Sequence, residues 1–292
     1  MSKFAYVIAA SQGYKDGLVA LLNSLAEHSA TAHIELVSFR LEEEFLEQIR
    51  GRGGVTIHET GDCEKGQVEA TAIERFRVAY EVAPEYDALC LMDCDMFQTC
   101  NCDTFFDVAA ADFIVAGSNG MVINFNRVHQ DRYDVDLGSD DYPYPKVHCT
   151  APIFLSAENT DWFEALYNSR RIDSWDDFLY LNVLGITMGK DKRMIVMPPY
   201  AFTGIHHFHV KPVTGVMDKA GTLLSGTEEQ VYMCHGRYWD DAYNAGLLEV
   251  MEGYFRNEEL GERQQRQAQN SLDATLRYFE HYYHGGELVP LP

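Results

Sequence analysis

The sequence lacks the features of proteins that bind nucleic acids or cross membranes. It has only 23 basic residues against 45 acidic ones, a formal net charge of −22. Such a charge repels phosphate backbones and anionic lipid surfaces, which disfavours nucleic acid as a partner. No apolar run approaches the ~20 residues that a membrane-spanning helix needs. We therefore expect a soluble, cytoplasmic protein with no membrane span, and we interpret residues 1–10 as a first strand rather than a signal peptide.

Paired cysteines are also missing. The chain has 7 cysteines, an odd number, and no two of them form a CxxC pair. Cys94, Cys100 and Cys102 lie close together but do not have the paired spacing that is typical of structural zinc sites. This pattern favours reduced thiols over a disulfide framework or a zinc site.

What the sequence does contain is a regular alternation of strands and helices. With 292 residues and 46% hydrophobic content, the chain can bury a substantial core. Over the first 120 residues this alternation predicts an α/β fold with a mainly parallel sheet flanked by helices. The predicted strands are Phe4–Ala9, His33–Phe39, Val55–His58 and Ala88–Met92, and the predicted helices are Asp16–His28, Leu41–Ile49 and Ala70–Ala83.

The rest of the chain is less regular and ends in a helical tail. Two separate strands are predicted at Phe113–Ala116 and Met121–Phe125, and another at Gln230–Cys234. After Asp240 the pattern is helical, with one apolar stripe. We expect this tail to pack on the core or on a second subunit, which makes a homodimer one expectation. The stripe consists of Leu272, Leu276, Phe279 and Tyr283.

The most informative stretch is Leu91–Phe97, in which Asp93 and Asp95 follow a buried strand. Two carboxylates at this spacing can bind one divalent cation. Ligands of parallel sheets collect at the carboxyl ends of strands, where the residues after the first strand, Ser11 to Tyr14, would also lie. The alternative is that both aspartates are solvated on a surface turn.

Four segments together resemble a known family. They are Ala9–Ser11, Arg77, Asp93–Asp95 and Asp177–Asn182. They resemble the GT-A fold nucleotide-sugar glycosyltransferases, most closely the glycogenin and lipopolysaccharide galactosyltransferase group of glycosyltransferase family 8. The resemblance covers roughly residues 4–240. It implies a Rossmann-like, mixed sheet in a catalytic domain at 1–240, with a nucleotide-binding half at about 1–120, an acceptor-side half at about 121–240, and a helical extension at 241–292.

The resemblance also implies how the donor is bound. In the group, the end of the first strand holds the nucleoside, and a basic residue before the paired aspartates reaches the donor. Arg77 is the first candidate for that residue, and Arg75 is the alternative if the helix register differs. Both arginines could instead be solvated helix charges. The expected donor-binding residues are Ala9, Ala10, Ser11, Tyr14, Arg75, Arg77, Asp93 and Cys94.

A histidine completes the metal site of the group. His235 is the first candidate because an apolar strand precedes it, His207 is the second and His209 the third. Manganese accepts one imidazole among oxygen ligands, whereas magnesium prefers oxygen alone. We therefore expect Mn²⁺, with Mg²⁺ as the alternative, on Asp93, Asp95 and a histidine. These histidines could also be satisfied by ordinary hydrogen bonds.

The sugar pocket is expected around Asp177, with Asp176 as second candidate. The group has a glutamine where this chain has Phe178, so the retention of configuration that the resemblance implies loses one of its supporting residues. Both acids could instead be the first-turn carboxylates of a helix that follows Ser174.

The resemblance thus implies a metal-dependent transferase that moves a sugar from a nucleotide-sugar, expected to be UDP-linked, to a hydroxyl of a glycan, protein or small molecule. A sugar-phosphate nucleotidyltransferase is one alternative, although Ser11–Lys15 has only one glycine where such enzymes have a glycine-rich loop. A non-catalytic nucleotide- or glycan-binding protein with the same fold is another.

Overall fold

The structure is a computed structural model that describes residues 3–29, 32–60, 67–123, 146–161, 164, 193–197, 199–202, 216–217, 223–224, 231–246 and 262–290. None of the helices in this described part is both long and apolar enough to span a membrane. The strands are β1 (Phe4–Ser11), β2 (His33–Phe39), β3 (Val55–Glu59), β4 (Ala88–Asp93), β5 (Met96–Gln98), β6 (Phe113–Ile123), β7 (Lys146–Ser156), β8 (Arg193–Val196), β9 (Val216–Met217), β10 (Leu223–Leu224) and β11 (Met233–His235). The helices are α1 (Lys15–His28), α2 (Glu43–Arg52), α3 (Gln67–Val82), α4 (Asp103–Ala110), α5 (Pro199–Phe202) and α6 (Glu262–Tyr283).

The main sheet has seven strands in the order β3-β2-β1-β4-β7-β6-β8. Strands β3, β2, β1 and β4 are parallel to one another, while β7 runs antiparallel to both β4 and β6. The prediction of a mixed, mainly parallel sheet flanked by helices is confirmed. Because the four parallel strands end at one edge, the segments that follow them lie side by side there.

The core forms on both faces of the central strand β1. Its side chains alternate between the faces, so Tyr6 and Ile8 pack with Leu18 of α1 and Phe45 of α2. Helix α3, which carries the buried Phe76, packs on β1 and β2. Burial on both sides explains why β1 reads as a continuous apolar run rather than as an alternating one.

One strand prediction was wrong. The two strands expected at Phe113–Ala116 and Met121–Phe125 are a single strand, β6, which pairs with β7 along its length. The register shifts between Ala116 and Gly117 and again between Ser118 and Val122. Such irregularities interrupt the two-residue periodicity, so the sequence pattern of one long strand looks like two short ones.

The C-terminal helix packs on the core, which is one of the two arrangements that the sequence predicted; the other was packing on a second subunit. Helix α6 lies against α1. The buried Asn23 side chain donates hydrogen bonds to the carbonyl oxygens of Tyr282 (2.7 Å) and Glu287 (2.9 Å), and it accepts one from the amide of Val289 (2.9 Å). The end of the chain is thereby fixed to the middle of α1.

Candidate metal centre at the carboxyl edge of the sheet

The two aspartates lie where β4 leaves the sheet. Asp93 is the last residue of β4 and pairs in register with Ala9 of β1, and Asp95 lies in the turn before β5. Cys94, between them, is buried in the core. Each carboxylate side chain keeps 17% of its surface exposed. Both acids are therefore held by rigid backbone and still accessible to an ion.

A backbone ladder brings His235 to these carboxylates. Strand β11 pairs antiparallel with β5, which places His235 opposite Met96. The amide of Gly236 donates to the carbonyl oxygen of Asp95 at 2.8 Å. As a result, His235 Nε2 lies 3.1 Å from Asp95 Oδ1 and 3.6 Å from Asp93 Oδ2.

These three residues fit a divalent cation. One ligand atom from each of Asp93, Asp95 and His235 lies within 4.8 Å of the other two, and in the part of the chain that the structure describes this is the only group of three or more histidine, cysteine or acidic side chains that meets that criterion. Two carboxylate oxygens and one imidazole nitrogen are a donor set that suits manganese. Half-burial leaves room for further ligands from substrate or water.

The electrostatics of the cluster are set by its two carboxylates. Burial alone would lower the pKa of the His235 imidazole, but the charges of Asp95 and Asp93 and the hydrogen bond to Asp95 outweigh burial and raise the pKa from 6.5 to about 9. In the metal-free protein at neutral pH, an imidazolium therefore sits between the acids. Because a metal needs neutral imidazole, metal binding would release that proton.

Of the two candidate arginines, it is Arg75 that contacts the site. Its guanidinium, 5% exposed, donates to Asp93 Oδ1 and to the carbonyl oxygen of Met92 (3.2 Å). Arg77, the first choice from sequence, forms ion pairs with Glu74 (2.7 Å) and Glu81 (2.5 Å) of its own helix. Residues two apart on a helix point to different sides, which explains why only one can reach Asp93.

The residues predicted to contact the nucleoside share the same edge. Ala9 lies beside Asp93 in register, and Ser11 ends β1. Ala9 and Ala10 are buried, so what they can offer a ligand is backbone rather than side chain. Burial and then the charge of Asp95 raise the pKa of the Tyr14 phenol.

Two further residues at this edge were missed by the sequence analysis. The Arg237 guanidinium, on a side chain that is 45% exposed, lies 5.1 Å above the Tyr243 ring. Burial and the charge of Asp95 raise the pKa of Tyr243 to about 12, and Arg237 opposes this rise. A cation two positions after His235 was the available sequence signal, but only the fold shows its contacts with Tyr243 and Asp240.

Several predicted site residues lie outside the residues that the structure describes. These are the alternative histidines His207 and His209 and the sugar-pocket candidates Asp176 and Asp177. Their roles stay predictions.

Similarity to known proteins is visible in the fold alone. No protein-family model matches the chain, and no curated protein matches it. The apo structure of WbbM, a bifunctional glycosyltransferase, is similar over 85% of this chain and 49% of WbbM (TM-score 0.54, 15% identity), so the chain spans about half of that protein. The galactosyltransferase LgtC, solved with donor and acceptor sugar analogues, is similar over 85% of this chain and 94% of LgtC (TM-score 0.51, 12% identity). An active-site mutant of LgtC gives a TM-score of 0.52 at 12% identity, over 82% of this chain and 90% of that protein. The chain therefore has the fold of these glycosyltransferases.

Proposed function

We propose that this chain is a divalent-metal-dependent glycosyltransferase that moves a sugar from a nucleotide-sugar, expected to be a UDP-sugar, to an acceptor hydroxyl. The observation that carries the proposal is the convergence of Asp93, Asp95 and His235 at the carboxyl edge of a glycosyltransferase fold. The acceptor is proposed to be a glycan, a protein or a small molecule. The LgtC structure, which holds donor and acceptor sugar analogues, supports a sugar donor and, among these acceptors, a glycan.

The three clustered residues would hold manganese, with magnesium as the alternative. When bound there, the cation neutralises the charge that develops on the leaving nucleoside diphosphate. The protein's part is to hold the ligands in place. Arg75 engages Asp93 Oδ1, which leaves Oδ2 facing His235, and the β5–β11 ladder fixes His235 beside Asp95.

Arg237 is the proposed contact for the donor phosphates. Asp93 and Asp95 carry two negative charges and would be balanced by a divalent ion, and a diphosphate brings further negative charge. Arg75 is buried against Asp93, whereas the Arg237 side chain, two residues after His235, is half exposed and lies 4.0 Å from Asp240. A guanidinium suits phosphate oxygens because it can donate two parallel hydrogen bonds.

The chemistry at the sugar is proposed from the resemblance. Asp177, with Asp176 as second candidate, would line the sugar pocket, and transfer would proceed with retention. Tyr14 and the backbone of Ala9 to Ser11 would hold the nucleoside beside Asp93.

A combined binding and turnover experiment tests the proposal. Manganese and a panel of nucleotides are titrated by thermal shift, and donor hydrolysis is then measured for wild type and Asp95→Asn. Asp107→Asn, the same change at an exposed acid of α4, is the matched control. We expect stabilisation by UDP only when manganese is present, loss of hydrolysis in Asp95→Asn by at least a hundredfold, and wild-type turnover in Asp107→Asn.

Two other results would contradict the proposal. Stabilisation by a nucleoside triphosphate, together with release of pyrophosphate from it, would indicate a nucleotidyltransferase. Binding of nucleotide without turnover of any donor, in the presence of acceptor libraries, would indicate a non-catalytic binding protein.

A further inference from the structure

Trp239 fills a space that only a glycine at position 17 leaves open. A Cβ atom on Gly17, in the first turn of α1, would lie 2.4 Å from Trp239 Cζ3 and 2.9 Å from the carbonyl oxygen of Cys94. The indole therefore rests directly on the start of α1, next to the turn that carries Asp93 and Asp95. This close approach is incompatible with any side chain at position 17.

Two aromatic rings flank the indole. Tyr14 makes an edge contact with it at a centroid distance of 5.7 Å, and Phe279 of α6 lies 6.2 Å away. Trp239 thus joins two parts of the chain that are far apart in sequence: the β1–α1 connection and the C-terminal helix.

The residues from His235 to Asp240 form a hydrogen-bonded turn, so the packing of Tyr238 is linked to the position of His235. The Tyr238 hydroxyl donates to the carbonyl oxygen of His235 at 3.1 Å, and the Asp240 amide donates to that of Arg237 at 2.9 Å. Tyr238 is buried against Phe97, the strand residue paired with Cys234, at 5.6 Å. A shift of Tyr238 would therefore act on the backbone of His235.

Phe279 packs behind both of these rings. Its ring lies 6.2 Å from Tyr238 and 6.3 Å from Phe97, in addition to its contact with Trp239. We propose that Phe279 is a positioning residue for the metal centre: it supports Tyr238 and Trp239, and through them it holds His235 in place against Asp95. The C-terminal helix α6 thus packs against the rings that follow His235 in the chain. The inference rests on the metal site of the proposed function.

The test compares two truncations on the same helix. Phe279→Ala removes the ring that packs on Tyr238 and Trp239. Leu272→Ala removes a similarly buried side chain that is not part of this group of rings. Phe279→Leu keeps most of the volume and serves as the conservative variant if Phe279→Ala folds poorly. Manganese affinity is measured by electron paramagnetic resonance on the full chain. The environment of Trp239 is followed by ¹⁹F NMR of 5-fluorotryptophan, with Trp239→Phe identifying its resonance.

We expect Phe279→Ala to weaken manganese binding at least tenfold and to shift the Trp239 resonance. Phe279→Leu should remain within threefold of wild type, and Leu272→Ala within twofold with an unshifted resonance. Equal weakening by Phe279→Ala and Leu272→Ala, or wild-type affinity in both Phe279 variants, would overturn the inference.

The two proposals fail in different ways. If wild type binds manganese but turns over no donor, the proposed transfer fails while the affinity comparison still decides the role of Phe279. If wild type binds neither manganese nor magnesium, both proposals are overturned.

Discussion

The imidazole of His235 lies 3.1 Å from the Asp95 carboxylate because their strands are hydrogen-bonded neighbours. His235 ends β11 opposite Met96, the residue that directly follows Asp95. Backbone pairing thus brings His235 to Asp95 without the involvement of a flexible loop. A site built on paired strands is held more precisely than one built on loops.

The first prediction concerns the pH dependence of stability in metal-free protein. The pKa of His235 is raised to about 9, so its protonation stabilises the folded state. This contribution is fully present below the unfolded pKa of about 6.5 and is lost as the pH rises through about 9. It amounts to roughly 3 kcal/mol at most. We expect His235→Gln to flatten the fall in unfolding free energy between these pH values, as measured by urea denaturation with a chelator present.

Gln48→Asn, at an exposed residue of α2 without an ionisable side chain, provides the control. It should keep the wild-type slope over the same range. If His235→Gln also keeps that slope, the imidazolium is not stabilised by Asp95 and Asp93.

The second prediction concerns the coupling between Arg75 and Asp93. Arg75→Met should cost about 3 kcal/mol of unfolding free energy, because it removes the guanidinium that is paired with a half-buried carboxylate. Adding Asp93→Asn should recover part of this loss, so the double variant should be more stable than the sum of the single losses implies. A double-mutant cycle by chemical denaturation should give a coupling of about 1–3 kcal/mol. Strictly additive losses would show that the ion pair contributes nothing.

The third prediction compares two helical glycines. Gly17→Ala should destabilise the protein by about 1–3 kcal/mol, because the new methyl group would overlap Trp239 and the carbonyl of Cys94. Gly51→Ala lies in α2, where an added Cβ meets no atom within 4 Å, and should be neutral or stabilise by up to about 1 kcal/mol. Equilibrium unfolding of both variants measures this difference. Equal effects would show that Trp239 does not pack against Gly17.

The fourth prediction concerns the anchor of the C-terminal residues. Asn23→Ala removes three hydrogen bonds of a buried side chain and should cost about 2–3 kcal/mol. Hydrogen exchange of the amides from 279 to 289 should become faster, since these residues lose their fixed contact with α1. Asn101→Ala, at an exposed asparagine, should leave that exchange unchanged. Unchanged exchange in Asn23→Ala would mean that packing alone holds the C-terminal residues.

Much of the fold follows from local patterns. Strand and helix periodicity located the parallel strands and predicted the sheet class, because each strand buries its own side chains wherever it sits in the sheet. The pair Asp93 and Asp95 was recognisable for a similar reason. Acids that directly follow an apolar strand lie at the edge of the sheet, and this position does not depend on how distant segments pack.

Other features were decided by contacts between distant segments. Periodicity did not distinguish Arg75 from Arg77, since the angle of α3 about its own axis is set by packing on β1 and β2. The sequence offered His235 as one of several histidines, and the β5–β11 pairing is what places it at Asp95. The contact of Phe279 with Trp239 was not predictable, because helix α6 shows its apolar stripe but not the surface that the stripe covers. Local sequence sets which face of an element is apolar, but the partner of that face depends on the free energy of the whole packed core.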